Sequence, residues 1–425
     1  MKASEIKKKI RDGALTKYAH LYNDTDAQKE RFLRIIDRFI SLYGDKEAEL
    51  LSVPGRSEIS GNHTDHNRGC VLAGAIDRDV IAVAAKNECG TVRFFSEGYP
   101  ECEIKVCECD NKNNYKKYTS TALIAGTLNG FCLGGHEIGG FDIAMTSDVL
   151  RGSGISSSAA FEVMIGNALN YLYNGGKVDN CEIAKIAQYA ENEYFGKPCG
   201  LMDQMACAVG GFVFIDFEDA KNPVVTPISF SLDDAGYALC IVNTGGNHAD
   251  LNEDYASVPR EMKAVAAALG REVLRGVCES DIIDKLPMLR EKLGDRAILR
   301  ALHFIRENNR VIAARDALLS GRLDGFFGIV NSSGSSSFKY LQNVYTTVNV
   351  SEQGLSLALA LAEEYLGGDG ASRVHGGGFA GTVQVFVKKT RLAGLIDLMD
   401  SVFGKGAAMA LNVRPVGATS LALLD

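Results

Sequence analysis

The chain has 425 residues, of which 46% are hydrophobic and 23% charged, and its formal net charge is −8. A chain of this length exceeds the usual size of one hydrophobic core, so we expect two lobes. The modest acidic charge and the lack of a long basic stripe argue against a nucleic-acid partner.

The N-terminal segment has no apolar stretch after its charged residues, and no run reaches the roughly 18 apolar residues that span a bilayer. The eleven cysteines are scattered and include no CxxC pair. We therefore expect reduced thiols, a cytoplasmic protein and no membrane partner.

Apolar spacing predicts a packing helix within residues 5–45, where Phe32, Ile35, Ile36 and Phe39 share one face and Gly44 follows the run. Later segments are predicted from the same periodicities. Strands are predicted at 70–76, 80–86, 91–98, 140–149, 210–217, 236–245, 381–389 and 410–417, and helices at 118–135, 158–173, 180–195, 254–270, 282–292, 296–320 and 351–366. Helices and strands mix without strict alternation, which favours an α+β fold.

Residues 151–160 read RGSGISSSAA, between a predicted strand and a predicted helix. Backbone N–H groups at a helix start have no intrahelical partner, and the helix dipole adds positive potential there. Gly152 and Gly154 permit a tight turn, and the hydroxyls of Ser156, Ser157 and Ser158 can donate to phosphate or ligate Mg²⁺. The alternative is an ordinary serine N-cap.

Residues 54–76, PGRSEISGNHTDHNRGCVLAGAI, are dense in ionisable groups. Arg56, His63, Asp65 and His66 suit the binding of several sugar hydroxyls. The last three could instead hold a metal ion, as in a metal-dependent hydrolase. The glycine run GGGFAG at 376–381 is by itself typical of a turn.

Three stretches in the same order resemble the three signatures of the GHMP kinases, and among these of the galactokinases. They are PGRSEISGNHTDHNRGCVLAGAI, the phosphate loop GSGISSSAA and the third motif SRVHGGGFAGTV, and the similarity covers about residues 20–425. The resemblance implies a two-lobed α+β GHMP kinase fold with mixed sheets flanked by helices and the active site in the cleft. Residues 1–230 would carry the sugar signature and phosphate loop, and residues 231–425 the third motif.

The resemblance also implies transfer of the γ-phosphate of ATP, with Mg²⁺, to the anomeric hydroxyl of galactose or a galactose-like sugar. Asp203 aligns with the family's catalytic aspartate and Arg56 with the arginine that neutralises the phosphoryl charge. The implied substrate contacts are Asn62, His63, Asp65, Gly200 and Tyr255. The implied ATP and phosphate contacts are Gly152, Ser153, Gly154, Ile155, Ser156, Ser157, Ser158, Ala159, Gly377 and Gly378, and the implied metal ligands are Ser158 and Glu191.

The chain departs from the galactokinase signature at several positions, among them Ala73 where a proline is common. Asn62 stands where the family has Glu, His66 where it has Tyr, and Glu58 where it has Asn. A neutral amide at position 62 no longer repels negative charge, so a galacturonate 1-kinase is an alternative. A non-catalytic sugar- and ATP-binding regulator of the same fold is another, although the intact phosphate loop favours an enzyme. Beyond sugar and ATP, a monomer or weak homo-oligomer is expected.

Overall fold

The computed structural model describes residues 1–22, 24–149, 154–197, 199–246 and 251–421. Within these ranges the α-helices are α1 (Ala3–Arg11), α2 (Thr25–Tyr43), α3 (Ser120–Leu133), α4 (Ser157–Tyr173), α5 (Asn180–Tyr189), α6 (Met202–Val209), α7 (Asn252–Ala268), α8 (Glu279–Ile283), α9 (Leu286–Leu293), α10 (Asp295–Leu319), α11 (Leu323–Ser336), α12 (Gly354–Leu366) and α13 (Lys389–Phe403). None of them combines the length and apolar character that a bilayer crossing requires.

The strands form two sheets. They are β1 (Glu49–Ser60), β2 (Cys70–Lys86), β3 (Thr91–Ser96), β4 (Cys102–Lys105), β5 (Phe141–Ser147), β6 (Phe212–Asp216), β7 (Val224–Ile228), β8 (Tyr237–Asn243), β9 (Ala371–His375), β10 (Thr382–Lys388), β11 (Ala408–Leu411) and β12 (Thr419–Ser420). The larger sheet has the order β12-β1-β2-β5-β3-β4, with β6 paired to β2 and β7 to β6, and the smaller has the order β11-β8-β10-β9. Only the β3–β5 pair is parallel among these ladders. The mixture confirms the predicted α+β class.

The larger sheet is covered on both faces. Residues on one face of β2, such as Ala82 and Ala84, belong to the core formed with α4. Residues on the other face, such as Ile81 and Val83, pack with α1 and α2. Because alternate side chains of a strand point to opposite faces, two covered faces explain why β2 is apolar almost throughout.

Helix α2 confirms the predicted packing helix, since Phe32, Ile35, Ile36 and Phe39 are buried and Gly44 caps its C-terminus. The predicted strands 70–76 and 80–86 are one strand, β2. The polar residues between them suggested a turn, but Asp79 is fully buried in ion pairs with Arg31 and Arg414. These partners let a charged residue continue the strand.

Residues 54–60, for which no element was predicted, belong to the buried strand β1. The predicted strand 410–417 is displaced, because β11 ends at Leu411 and the chain pairs again only in β12, next to β1. Through that pairing the end of the chain returns to the first sheet. The division of the chain near residue 230 remains a prediction.

Candidate active site

Arg56 and Asp203 form a bidentate ion pair between β1 and the first turn of α6. Arg56 Nε donates to Asp203 Oδ1 at 2.7 Å and Arg56 NH2 to Asp203 Oδ2 at 2.7 Å. Arg56 also donates to the carbonyl of Gly154. The side chain of Asp203 remains 32% exposed. The two residues predicted as catalytic are thus in direct contact, and the side chain of Asp203 is still partly exposed.

Asp203 is held as an anion. Burial alone would raise its pKa, but the Arg56 charge and hydrogen bonds from Arg56 and Ser156 outweigh it and lower the pKa of Asp203 below its usual value. The Ser156 hydroxyl donates directly to Asp203 Oδ2. An ionised carboxylate with a free edge can accept a proton from an alcohol.

The serine-rich loop packs directly on β1. The Arg56 amide donates to the carbonyl of Ile155 at 3.2 Å. This approach requires Gly55, because a Cβ there would lie 2.7 Å from the same carbonyl oxygen. The side chains of Ile155 and Ala159 are buried.

Ser156 occupies the N-cap position of α4 in a left-handed conformation with φ 59°, and its side chain caps no backbone amide. The alternative of an ordinary serine N-cap is therefore wrong, because that hydroxyl is bound to Asp203. Ser157 and Ser158 lie in the first turn of α4. The first amides of α4 have no side-chain cap and can accept an anion. The predicted phosphate contacts Gly152 and Ser153 lie outside the described residues.

The predicted metal ligands Ser158 and Glu191 also lie close together. Ser158 Oγ is 3.4 Å from Glu191 Oε1, and Lys197 Nζ is 3.1 Å from the same oxygen. Glu191 is 2% exposed and lies on a π-helical turn, Ala190–Phe195, that continues α5. Such turns are frequent at functional sites. A hydroxyl and a carboxylate are hard oxygen donors of the kind that Mg²⁺ takes, so these residues fit the ion.

Two residues beside Glu191 escaped the sequence analysis. Gln204 Nε2 donates to Glu191 Oε2 at 2.7 Å and to Glu162 Oε2 at 3.2 Å, and Gln204 and Glu162 are fully buried. Burial and the nearby Glu191 charge raise the pKa of Glu162 well above its usual value. Glu162 is the only charged residue of α4 and follows Ser158 by one helical turn. A lone carboxyl on an apolar helix was the signal that could have found it.

The residues predicted to bind sugar converge on the glycine-rich segment before β10. His63 Nε2 donates to the carbonyl of Gly377 at 3.0 Å, and Tyr255 Oη donates to that of Gly378 at 2.7 Å. Burial lowers the pKa of His63 to about 4, so its imidazole is neutral near pH 7. The carbonyls of Gly377 and Gly378 thus face the predicted sugar residues, and their role as phosphate contacts stays a prediction.

Asp65 and Gly200 meet on the same side of the site. A Cβ at Gly200 would lie 2.6 Å from Asp65 Oδ2, so a larger residue there would displace the Asp65 carboxylate. The side chain of Asp65 is 21% exposed. The contact brings a predicted sugar ligand next to the segment that leads into Asp203.

Asn62 is placed differently from the prediction. Its side chain is fully buried, and Nδ2 donates to Glu58 Oε1 at 3.0 Å and to the carbonyl of Gly376 at 2.7 Å. Its Oδ1 accepts from Asn343 Nδ2 at 2.7 Å and from Ser337 Oγ at 3.3 Å. The carboxamide has used both protons and both lone pairs, so a direct contact with substrate is not supported. Asn62 instead supports the glycine segment that His63 contacts.

A cavity of about 600 Å³ adjoins the head of α4. Its lining includes Ser157 and Ser158, aromatic side chains such as Tyr118 and Phe195, and the carboxyl group of Glu97. A cavity with aromatic walls beside an anion-binding helix terminus suits a flat aromatic group that carries phosphates.

The metal-cluster alternative on His63, Asp65 and His66 finds no support. Within the described ranges, no three side chains of His, Cys, Asp or Glu are placed to hold a metal ion together. His63 Nε2 is engaged by the carbonyl of Gly377, and the Asp65 carboxylate accepts from the His66 amide at 2.9 Å.

Comparison with known sequences gives one match that includes Arg56 and another that includes Asp203. Residues 37–86 match the galactokinase galactose-binding signature, and residues 120–211 match the GHMP kinases N terminal domain. The chain is 31% identical to a galactokinase of Streptomyces coelicolor over 89% of this chain and 94% of that protein. It is 28% identical to a galactokinase of Enterococcus faecalis over 90% and 96% of the two chains.

Solved structures agree on the fold. The Lactococcus lactis galactokinase complexed with galactose superposes with a TM-score of 0.76 at 24% identity, over 91% of this chain and 98% of that one. The Methanococcus jannaschii mevalonate kinase superposes with a TM-score of 0.61 at 14% identity, over 86% and 98%. The predicted GHMP kinase fold is thereby confirmed.

Proposed function

The chain belongs to the galactokinase family, and from this membership and the geometry of its site we propose that it transfers the γ-phosphate of ATP to the anomeric hydroxyl of galactose or a galactose-like sugar. One observation carries the proposal. The Arg56–Asp203 pair lies at the head of α4, where Ser156 links the carboxylate to the phosphate loop. A proton acceptor and an anion-binding helix terminus are therefore adjacent, as phosphoryl transfer requires.

In the proposed reaction, the oxygen of the sugar hydroxyl attacks the γ-phosphorus, and Asp203 accepts the proton of that hydroxyl. The bond from that phosphorus to the β–γ bridging oxygen breaks, and ADP leaves. Arg56 keeps Asp203 ionised and stabilises negative charge on the transferred group. The amides and hydroxyls at the start of α4 hold the phosphates, and the aromatic cavity of about 600 Å³ takes the base of the nucleotide.

We propose Mg²⁺ as the metal, held by Ser158 and Glu191 together with the phosphates of ATP. When bound, the ion supplies positive charge that neutralises the phosphate oxygens. Lys197, which contacts Glu191 at 3.1 Å, adds a second cation on the same side.

Galactose is the first candidate substrate, and galacturonate is the second because position 62 carries an amide where the family has a carboxylate. Glu58 supports galactose, since its buried carboxyl contacts Asn62 at 3.0 Å and Arg373 at 3.4 Å. The family has an amide at position 58 and an acid at position 62, and this chain has the two exchanged. A carboxyl group therefore still lies beside position 62 and Arg373.

Release of ADP decides between these candidates. The purified chain is assayed with ATP and Mg²⁺ on galactose, galacturonate, N-acetylgalactosamine and arabinose, and ³¹P NMR identifies an anomeric phosphate. We expect activity on galactose. Activity confined to galacturonate would establish the second candidate, and sugar binding without ADP release would indicate the regulator.

The exchanged pair offers a matched test of the same question. Asn62→Glu alone would place two carboxyl groups 3.0 Å apart or closer, and we expect it to lower activity. The double variant Glu58→Asn/Asn62→Glu restores the family arrangement and should recover galactose turnover. A double variant that turns over galacturonate better than the parent would contradict the repulsion on which this reasoning rests.

We further propose a cytoplasmic protein that is a monomer or weak homo-oligomer. All eleven cysteines are free thiols, which supports a reducing compartment. Gel filtration with light scattering would measure the mass, and a stable higher assembly would contradict this proposal.

A further inference from the structure

We propose that Gln204 is a positioning residue that fixes the orientation of the metal ligand Glu191. Gln204 directly follows the proposed catalytic base, Asp203, in the sequence. The inference rests on the proposed function, because it concerns the metal that accompanies ATP. Nothing in the sequence motifs assigned a role to this glutamine.

The amide nitrogen of Gln204 binds two carboxyl groups at once. It lies 2.7 Å from Glu191 Oε2 and 3.2 Å from Glu162 Oε2. The three side chains are at most 2% exposed. Glu191 Oε2 is therefore fixed by Gln204, while Oε1 faces Ser158 and Lys197, on the side where the metal is proposed. Partners of this kind orient a metal ligand and raise the affinity of its site.

Helix α6 couples the two parts of the site. Asp203 contacts Arg56 and Ser156, whereas the next residue, Gln204, contacts Glu191. One rigid helical turn thus sets the position of both the base and the metal ligand. Preorganisation of this kind places reacting groups without a cost at the moment of reaction.

The arrangement is not one that stability alone would favour. Glu162 Oε1 and Gln204 Oε1 are buried and have no hydrogen-bond partner among the described residues. Each unsatisfied buried oxygen costs free energy of folding. An apolar residue at position 162 would avoid part of that cost, so packing alone does not account for the carboxyl–amide–carboxyl chain.

The test measures how strongly the metal and the nucleotide help each other to bind. Titration calorimetry gives the Kd of the non-hydrolysable analogue AMP-PNP in EDTA and in Mg²⁺, and the ratio of these constants reports their coupling. Gln204→Met keeps the length and volume of the side chain but donates no hydrogen bond. We expect it to lower the ratio about 10- to 100-fold and to leave the Kd in EDTA unchanged.

Asn129→Leu is the matched control. Asn129 is a largely buried residue of α3 whose side-chain amide donates to Tyr189 Oη at 3.0 Å. It lies next to the same π-helical turn but does not contact Glu191. It should leave the ratio as in the parent, whatever it does to the melting temperature. An equal fall in both variants would reduce the effect of Gln204 to packing and would overturn the proposal.

The remaining outcomes separate this inference from the proposed function. A parent ratio near one would overturn the metal site itself. A large parent ratio that Gln204→Met leaves unchanged would overturn only the positioning role. If Gln204→Met does not fold, Gln204→Asn retains the amide but shortens it by one methylene, and an unchanged ratio in that variant would be equally decisive.

Discussion

Asp79 and Asp203 are each held by arginine, and they differ in what surrounds them. Asp79 on β2 is fully buried and binds Arg31 at 2.6 Å and Arg414 at 3.0 Å, with further hydrogen bonds from Ser52 and Tyr22. Asp203 binds one arginine and keeps 32% of its side chain exposed. Each carboxylate has a pKa lowered against the effect of burial.

Ion pairing and a shifted pKa therefore do not identify an active site by themselves. Around Asp79, two guanidinium groups and two hydroxyls occupy the carboxylate and leave no edge for a ligand. Around Asp203, a single guanidinium and a serine hydroxyl are bound, and 32% of the side chain stays exposed. Access to the carboxylate separates the catalytic pair from the structural one.

Asp203→Ala sharpens this contrast most strongly. Loss of the proton acceptor should lower kcat by about 10²- to 10⁴-fold. Binding of AMP-PNP should persist, because the amides of α4 remain. Steady-state kinetics and calorimetry measure the two quantities, and retained kcat in Asp203→Ala would refute the assigned base.

Asp79→Ala should affect stability instead. The change leaves Arg414 buried without its anion and Arg31 with only the partly exposed Asp148, and breaking such a buried pair costs about 3–5 kcal/mol of unfolding free energy. Urea unfolding measures the loss. The kcat of the folded fraction should match the parent, and a selective loss of kcat would break the distinction between the two aspartates.

The pH dependence of this effect has a defined sign. The pKa of Asp79 is lowered in the folded chain, so its stabilisation is complete above the pKa of the unfolded state and is lost as pH falls through the folded value. The stability difference between the parent and Asp79→Asn should therefore shrink in acid. A difference that grows on acidification would contradict the lowered pKa of Asp79.

The two aspartates also show what the sequence could reveal. Arg56 and Asp203 lie in recognisable motifs, and their contact follows from a family resemblance. Asp79 between two apolar runs looked like a turn, because its partners Arg31 and Arg414 come from distant parts of the chain. Asn62 was misplaced for the same reason, since its hydrogen bonds reach Ser337, Asn343 and Gly376. Local sequence patterns predict local structure, and they contain no information about partners that lie dozens to hundreds of residues away.

Arg56→Gln tests how the open pair is kept ionised. Removal of the guanidinium should lower kcat/KM about 10²- to 10³-fold, because a donor to the developing charge is lost. It should also raise the pKa of Asp203, since burial is then opposed only by Ser156 and the more distant Lys197. The acid limb of the pH profile should move to higher pH, and an unmoved limb would show that Arg56 does not control the base.

Ser156→Ala should produce the smallest change, because it removes one hydrogen bond from Asp203 and leaves the ion pair intact. A hydrogen bond to a charged group contributes roughly 1.5 kcal/mol, so kcat/KM should fall about tenfold. The acid limb should move in the same direction as in Arg56→Gln but less far. Since Ser156 caps no amide of α4, its loss should not weaken the helix, and the melting temperature should stay within a degree or two of the parent.

Ser157→Ala is the control, because the neighbouring hydroxyl lies in the same turn, and it should leave the acid limb of the pH profile where it is. A large fall in melting temperature for Ser156→Ala alone would return that serine to a structural role.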